Sequence, residues 1–176
     1  MLRGDRILLR ALRPEDVEVL WHYWSDLDVS TRASNQPPKP YTLAETKGFY
    51  EEAGKDDFVR FVIEAGGEVL GDCSLHSIDK HNRFCEVGIS LGKRHWAQGY
   101  GQEVFGLLVG FAFDHHNMHR VGLQALADDE RAVGCYRKVG FVEEGRLRKR
   151  DWVDGEYHDV LVMGILEDEW PGRAAI

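Results

Sequence analysis

The chain has 176 residues, 43% of them hydrophobic and 30% charged, with a formal net charge of −8 at pH 7. That length suits one domain of about 100–200 residues with a sizeable core, and the acidic balance argues against a nucleic-acid partner, because phosphate backbones are bound through clustered Lys and Arg. Cys73, Cys85 and Cys135 are odd in number and widely spaced, with no C-x-x-C pair, which points to a reducing cytoplasm and away from a metal site or a disulfide framework. No membrane span is expected, since the longest apolar stretch, Phe105 to Phe113, falls well short of about 20 residues. The segment Met1-Leu2-Arg3-Gly4-Asp5-Arg6 lacks the apolar centre of a signal peptide.

Ile7 to Ala11 reads as a first strand. Pro14 then opens a helix where a missing N–H costs nothing, and Val17, Leu20, Trp21 and Trp24 give it an apolar stripe at helical spacing. Pro37, Pro38 and Pro40 make Ser34 to Tyr41 a loop. Thr42-Leu43-Ala44-Glu45 is a capping box that starts a second helix, expected to end near Gly54. Phe58 to Glu64 and Glu68 to His76 read as strands joined through the hairpin signal Gly66-Gly67. Asn82 to Leu91 is the next strand. Gly99 to His116 is a long helix whose Gly106 and Gly110, one turn apart, are expected to pack against the sheet. Arg120 to Ala127 is a strand and Glu130 to Val139 a helix. Phe141 to Arg150 and Glu156 to Leu166 form a final strand pair that turns at Val153-Asp154-Gly155. This order predicts an α/β fold in one domain, 1–176, with a mixed, mostly antiparallel central sheet flanked by about four helices.

The segment Trp96-Ala97-Gln98-Gly99-Tyr100-Gly101-Gln102-Glu103 sits between an apolar strand and the long helix. A helix N-terminus leaves its first N–H groups unpaired and carries partial positive charge, so an anion is stabilised there. Glycines at 99 and 101 let a phosphate approach the backbone without a Cβ in the way. A second segment follows some way on: Asp129-Glu130-Arg131-Ala132-Val133-Gly134-Cys135-Tyr136-Arg137-Lys138-Val139-Gly140-Phe141.

Together these motifs resemble the GNAT superfamily of acetyl-CoA-dependent N-acyltransferases, most nearly its ribosomal-protein alanine N-acetyltransferase branch (RimJ/RimL-like). Members of that branch often read W-G-x-G-Y-[AG]-x-E and N-E-R-A-x-x-x-Y-x-K-x-G-F. Trp96, Gly99, Tyr100, Gly101 and Glu103 match the first pattern. Glu130, Arg131, Ala132, Tyr136, Lys138, Gly140 and Phe141 match the second. Glu86-Val87-Gly88-Ile89 upstream fits as well, as does the tail from Gly145 to Trp170, so the likeness covers nearly the whole chain. Two departures stand out. Asp129 replaces the usual Asn, and an ionised Asp can only accept hydrogen bonds where Asn also donates. Ala97 and Gln98 replace a common Gly-Lys pair, which leaves Arg94 as the substitute cation near the phosphates or as a surface arginine capping a turn.

The resemblance implies a GNAT fold and direct acyl transfer: a neutral amine attacks the acetyl-CoA thioester, a tetrahedral oxyanion forms, and the CoA thiolate leaves. It implies acetyl-CoA as co-substrate and an amine acceptor, and it leaves room for a homodimer; no metal and no membrane partner are expected, from the cysteine spacing and the short apolar runs. The cofactor is expected on the backbone N–H groups from Gln98, Gly99, Tyr100, Gly101 and Gln102 to Glu103, with Asp129, Arg131 and Tyr136 beside it. The backbone of Ile89, Ser90 and Leu91 would pair with the pantetheine amides like an added strand, which requires a gap in the sheet. Tyr136, a phenol that is protonated at pH 7, is the candidate acid for the leaving sulfur, or a packed helix tyrosine. Arg137 and Lys138 beside it form a solvated face or meet the phosphates. Glu86 is the candidate proton acceptor, directly or through a water, or else a strand-end partner of Arg83. His76 and His81 are reserve bases. His115, His116 and His119 are read as capping a helix end.

The acceptor classes left open are a protein N-terminus, a polyamine, an amino-sugar and an amino acid. The first helices, the Pro-rich loop and the Val153–Tyr157 turn should build the acceptor side. Asp26, Asp28, Glu51, Glu52 and Asp154 in those segments would favour cationic amines by long-range attraction. A non-catalytic acyl-CoA-binding sensor on the same fold is the alternative function. A P-loop or Rossmann nucleotide binder is disfavoured, because neither G-x-x-x-x-G-K-[ST] nor a third glycine after Gly99-Tyr100-Gly101 is present.

Overall fold

Eight strands join in one sheet in a computed structural model that describes residues 1–34, 37–51 and 58–173. In chain order they are β1 (Leu2–Arg3), β2 (Leu8–Arg10), β3 (Val59–Ala65), β4 (Glu68–Asp79), β5 (Phe84–Leu91), β6 (Arg120–Leu126), β7 (Val142–Val153) and β8 (Glu156–Leu166). The helices are α1 (Asp16–Trp24), α2 (Leu27–Ala33), α3 (Leu43–Glu51), α4 (Tyr100–His116) and α5 (Glu130–Val139). The spatial order is β1-β2-β3-β4-β5-β6-β8-β7. Every neighbouring pair is antiparallel except β5 and β6. The chain therefore has an α/β fold with the mixed, mostly antiparallel sheet that the element order predicts.

The turn chemistry works as the sequence suggests. Gly66 and Gly67 have φ of 58° and 85°, and Asp154 and Gly155 have φ of 50° and 90°. Two successive positive φ values match the right-handed twist of the strands they join. The capping box of α3 forms in both directions, with Glu45 N–H donating to Thr42 Oγ1 at 3.1 Å and Thr42 N–H to Glu45 Oε2 at 2.8 Å. The expected end near Gly54 lies outside the described residues.

Three local details differ from the expectation. Among the described residues five α-helices flank the sheet, where about four are expected, and the addition is α2. Its sequence, Leu-Asp-Val-Ser-Thr-Arg-Ala, is rich in β-branched and hydroxyl residues with weak helix propensity, yet Asp26 caps it by accepting from Asp28 N–H at 3.0 Å, and Val29 and Ser30 are buried. The first strand is preceded by β1, two residues long and so below the reach of any periodicity. Gly106 and Gly110 do not face the sheet: a Cβ at either would meet the Trp170 indole at 4.0 Å.

One face of the sheet carries α4 and the main core, in which Cys73, Leu75, Cys85 and Val87 of the strands meet Phe105, Leu108, Val109, Ala112 and Phe113 of α4. On the other face, Leu20 of α1 and Tyr50 of α3 pack on Val62 of β3. Among the described residues no helix is long and apolar enough to cross a membrane.

The sheet opens in its middle. β5 stays paired with β4 as far as Leu91, but its ladder with β6 covers only Phe84, Cys85 and Glu86. Beyond Glu86 the two parallel strands diverge, and the backbone groups of β5 on that side face a cavity.

A buried ion pair fixes β2 to α1. Arg10 donates from Nη1 to Asp16 Oδ2 at 2.7 Å, from Nη2 to Asp16 Oδ1 at 2.9 Å, and from Nε to Glu64 Oε2 at 2.5 Å. Arg10 and Asp16 are 4% and 2% exposed. Burial alone would raise the carboxyl pKa of Asp16, but the donors from Arg10 and from the Arg13 N–H outweigh it and hold the group below the usual carboxylate range. A depressed carboxylate contributes stability that is complete above its unfolded value of about 3.9 and disappears as pH falls below it. Asp16→Asn is therefore expected to cost about 3 kcal/mol at pH 7, with Glu64 left to compensate Arg10, and to flatten the stability loss between about pH 4 and 2. Urea titrations of both proteins across that range check this; parallel curves would remove Asp16 from the account.

Candidate active site

The opening between β5 and β6 is closed at its outer end by two helix N-termini. Gly92 to Trp96 form a single 3-10 turn (Lys93–His95) after β5. It is pinned by Trp96 Nε1, which donates to Leu91 O at 2.8 Å. Ala97 and Gly99 then take positive φ, 59° and 82°. Gly99 is the N-cap of α4, and no side chain caps that helix. The first N–H groups of a 17-residue helix are thus left to whatever enters the cavity.

This cavity, of about 490 Å³, is lined by the backbone edge at Ile89, Ser90 and Leu91, the turn from Gln98 to Gln102, and Asp129, Arg131 and Tyr136 of α5 and its cap. The structure thus gathers nearly all the residues expected at the cofactor. Glu103 is the exception. It is absent from the lining and holds the first hairpin instead, accepting from Arg6 N–H at 2.8 Å and from Arg6 Nε at 3.2 Å. Arg6 in turn donates from Nη1 to Gln98 O at 3.0 Å, bracing the loop from behind. A Cβ on Gly101 would stand 3.4 Å from Cys135 Sγ, so α4 and α5 approach closely at that point.

The cations at the cavity are Arg32, Arg131 and Lys138. Arg131 lies over the Trp96 ring at 4.6 Å. Arg94, the substitute cation considered from sequence, points elsewhere: it pairs with Glu68 and donates to Tyr23 Oη at 2.9 Å. Asp129 caps α5 by accepting from Ala132 N–H at 3.0 Å, and its other oxygen accepts from Arg32 Nη1 of α2 at 3.1 Å. The departure from Asn therefore creates a charged tie across the cavity, from the cap of α5 to α2. Arg32 had no signal in the sequence, because α2 itself had none.

Tyr136 lines the cavity with its ring edge-to-face against Phe105, 5.0 Å between centroids. Burial, foremost, pushes its phenol pKa up, so the hydroxyl stays protonated at neutral pH and able to donate.

Glu86 sits at the point where β5 leaves β6. Its Oε2 accepts from Ser77 Oγ at 3.0 Å and its Oε1 from Gln124 Nε2 at 3.4 Å. It is not paired with Arg83, which donates to Asn117 and Glu167. His76 is its cross-strand neighbour, with Nε2 3.8 Å from Glu86 Oε2. A second cavity, of about 200 Å³, lies between α1, α3 and strands β3, β4 and β5. Its lining includes His76, Ser74, Arg60 and Asp72, and it shares Ala33, Ile89 and Ser90 with the first. The His76 ring rests on Gly88, where a Cβ would meet its Cε1 at 3.3 Å. Burial, the largest influence, lowers the His76 pKa, partly offset by Glu86, so the imidazole is neutral at physiological pH. Thus His76, a reserve candidate from sequence, lines the cavity that meets Ile89, with Glu86 beside it. His81 lies in the β4–β5 turn, its N–H on Asp79 Oδ1 at 2.9 Å.

Pro37, Pro38, Val153 and Asp154 do come together, in a cavity of about 600 Å³ that also reaches Arg32, Arg150 and Trp152. His119 pairs with Glu167 at 3.1 Å, while His115 and His116 lie against Phe111. Among the described residues no group of three or more His, Cys, Asp or Glu side chains is placed to hold a metal ion.

Comparisons with known proteins agree with this geometry. An uncharacterized N-acetyltransferase of Bacillus licheniformis, p20, is 27% identical over 97% of this chain and 98% of its own. The spermidine N(1)-acetyltransferase of Vibrio cholerae is 25% identical over 97% of this chain and 99% of its own. A crystal structure of spermidine N-acetyltransferase from that organism, in complex with CoA and spermine, superposes with a TM-score of 0.87 at 24% identity, over 94% of this chain and 98% of that one, and so shares the fold. These relatives do not single out the RimJ/RimL-like branch. The family model for the acetyltransferase (GNAT) domain matches residues 6–142, and with that span the chain belongs to the GNAT acetyltransferase family and is an acetyl-CoA-dependent N-acetyltransferase.

Proposed function

We propose that this protein moves an acetyl group from acetyl-CoA to a primary amine, a protein N-terminus, a polyamine or another small amine, by direct attack through a tetrahedral intermediate. The observation that carries the reading is the opening of the sheet beyond Glu86, which sets an unpaired strand edge, an uncapped helix N-terminus and Tyr136 around one cavity. The co-substrate supplies the activated acetyl thioester. The cavity suits its other parts: the N–H groups at the start of α4, with Arg131 and Lys138 near, fit a pyrophosphate. The free edge at Ile89 to Leu91 fits the pantetheine amides, as a strand fits a sheet edge.

The remaining chemistry falls to two groups on opposite sides of that edge. Tyr136 holds a proton on the cofactor side and donates it toward the departing sulfur. His76, neutral and bordering the second cavity, accepts the amine proton. Glu86 steadies the resulting imidazolium, a carboxylate 3.8 Å away being favourable to that charge. The role expected for Glu86 as proton acceptor is thus exercised through His76. A non-catalytic acyl-CoA sensor would have no use for this pair of titratable groups.

Three outcomes test the reading. Gly101→Glu places bulk and negative charge at the start of α4, where the backbone itself tolerates a Cβ. Calorimetry should show acetyl-CoA affinity lost with the thermal melt preserved, and an unchanged affinity would remove the proposed cradle. Tyr136→Phe keeps the ring against Phe105 and removes only the hydroxyl, so kcat should fall about 10²–10⁴-fold with acetyl-CoA affinity little changed. That fall should shrink with a thioester of a more acidic thiol. A drop in melting temperature with kcat nearly intact would make Tyr136 structural. The acidic limb of the kcat profile should lie below the ordinary histidine value of about 6.5, and Glu86→Gln should move it lower still, because Glu86 raises the His76 pKa. If Glu86 were itself the base, the same substitution would abolish the limb.

A further inference from the structure

The cavity beneath His76 contains a buried cation that acyl transfer itself does not need. Arg60 stands on β3 opposite Ser74 of β4, on the sheet face that also bears Asp72 and His76. Its side chain is only 8% exposed. The guanidinium is caged by Phe49, Tyr50 and Phe58, with ring centroids 4.0, 4.6 and 4.8 Å away. Nε and Nη1 are buried and have no hydrogen-bond partner among the described residues. The nearby carboxylate, Asp72, lies 3.6 Å from Nε, too far for a hydrogen bond. Asp72 Oδ1 instead accepts from Trp24 Nε1 and Tyr50 Oη, at 3.3 and 3.2 Å.

A buried guanidinium with open donors is costly until an acceptor meets it, and a carboxylate is the acceptor that matches its charge. The acidic residues expected to attract a polycation are not in this cavity. Asp26 caps α2, Asp28 pairs with Lys93, and Asp154 lines the larger cavity on the far side of α2. The Glu51 side chain and Glu52 lie outside the described residues. A polyamine entering here would bring a second positive charge against Arg60.

We propose that the acceptor is a small amino-carboxylate, held by its carboxylate at Arg60 with its amine between His76 and the backbone of Ile89. This rests on the acyl-transfer reading and narrows its acceptor. Arg60 faces Ser74, and His76 is two residues further along the same face, roughly 7 Å of strand, so a short carbon chain spans the two groups. A cavity of about 200 Å³ admits a molecule of that size.

The test compares 4-aminobutyrate with butylamine, which share a chain and an amine and differ in the carboxylate, and with spermidine. With acetyl-CoA as donor and CoA release as readout, kcat/KM should favour 4-aminobutyrate over both by about 10–100-fold. Arg60→Gln should bring the ratio to butylamine close to one, and Arg60→Lys, which keeps the charge but not the guanidinium, should retain part of it. Butyrate, which lacks the amine, should inhibit competitively against the amine. Equal or better turnover of butylamine or spermidine by the wild type overturns the proposal, as does a preference that survives Arg60→Gln. Should Arg60→Gln fail to fold by thermal melt, butyrate competition in the wild type decides, and absence of competition is the overturning result. Acetylation of none of the three amines by protein that binds acetyl-CoA overturns the proposal alone; if peptides with a free N-terminus are not acetylated either, the acyl-transfer reading falls with it.

Discussion

Backbone N–H and C=O groups must find partners, and the middle of this sheet withholds them. β5 is bonded to β4 along its length, yet its β6 side is satisfied only at Phe84, Cys85 and Glu86. An interior strand left half-paired is expensive unless a ligand or water takes the vacant positions. A parallel pair also needs a crossover, and here the crossover begins at once, with the 3-10 turn after Leu91 and then α4. The same stretch of chain therefore opens the sheet and puts a helix N-terminus at the mouth of the opening. An unpaired strand edge and an uncapped helix N-terminus follow from one topological feature.

What surrounds the opening is then a matter of holding it in shape. Glu103 and Arg6 lock the first hairpin to α4 and the loop before it, with Arg6 reaching Gln98 O. Asp129 and Arg32 tie the cap of α5 to α2 across the cavity. An Asn at 129 could donate to an entering ligand, whereas the Asp here is fully engaged as an acceptor from Ala132 N–H and Arg32. The pair positions α2, which becomes part of the cavity wall.

The sequence made some of this visible because certain signals are local. Hairpins at Gly66-Gly67 and Asp154-Gly155, the Thr42–Glu45 box, and the strand-turn-helix around Gly99 each depend on a few adjacent residues with one preferred backbone. Nearly all the residues expected at the cofactor meet at one cavity, and they could be singled out because most of them lie in two continuous motifs. α2 was hidden because its residues favour helix weakly and are held by tertiary contacts, and β1 because two residues have no period. Glu103 is expected at the cofactor for its backbone N–H; its side chain leaves the first helical turn away from the cavity, toward Arg6.

The second cavity carries no comparable signal in the sequence, since it is assembled from separate elements. Arg60, Asp72 and His76 meet only because β3 and β4 pair in one register, and Phe49 and Tyr50 arrive from a helix across the sheet. The one cue was a charged residue inside the apolar run Phe58 to Ile63. Net charge pointed the other way, toward a cationic partner, and the two cues act over different ranges. Surface charges more than about 8 Å away are largely screened at physiological ionic strength. A unit charge about 4 Å from a half-buried partner is worth about 4 kcal/mol at an effective dielectric of about 20. Long-range attraction can bring a cation to this acidic surface, but the group that sits in the cavity is chosen at contact distance, and there the uncompensated donors belong to Arg60.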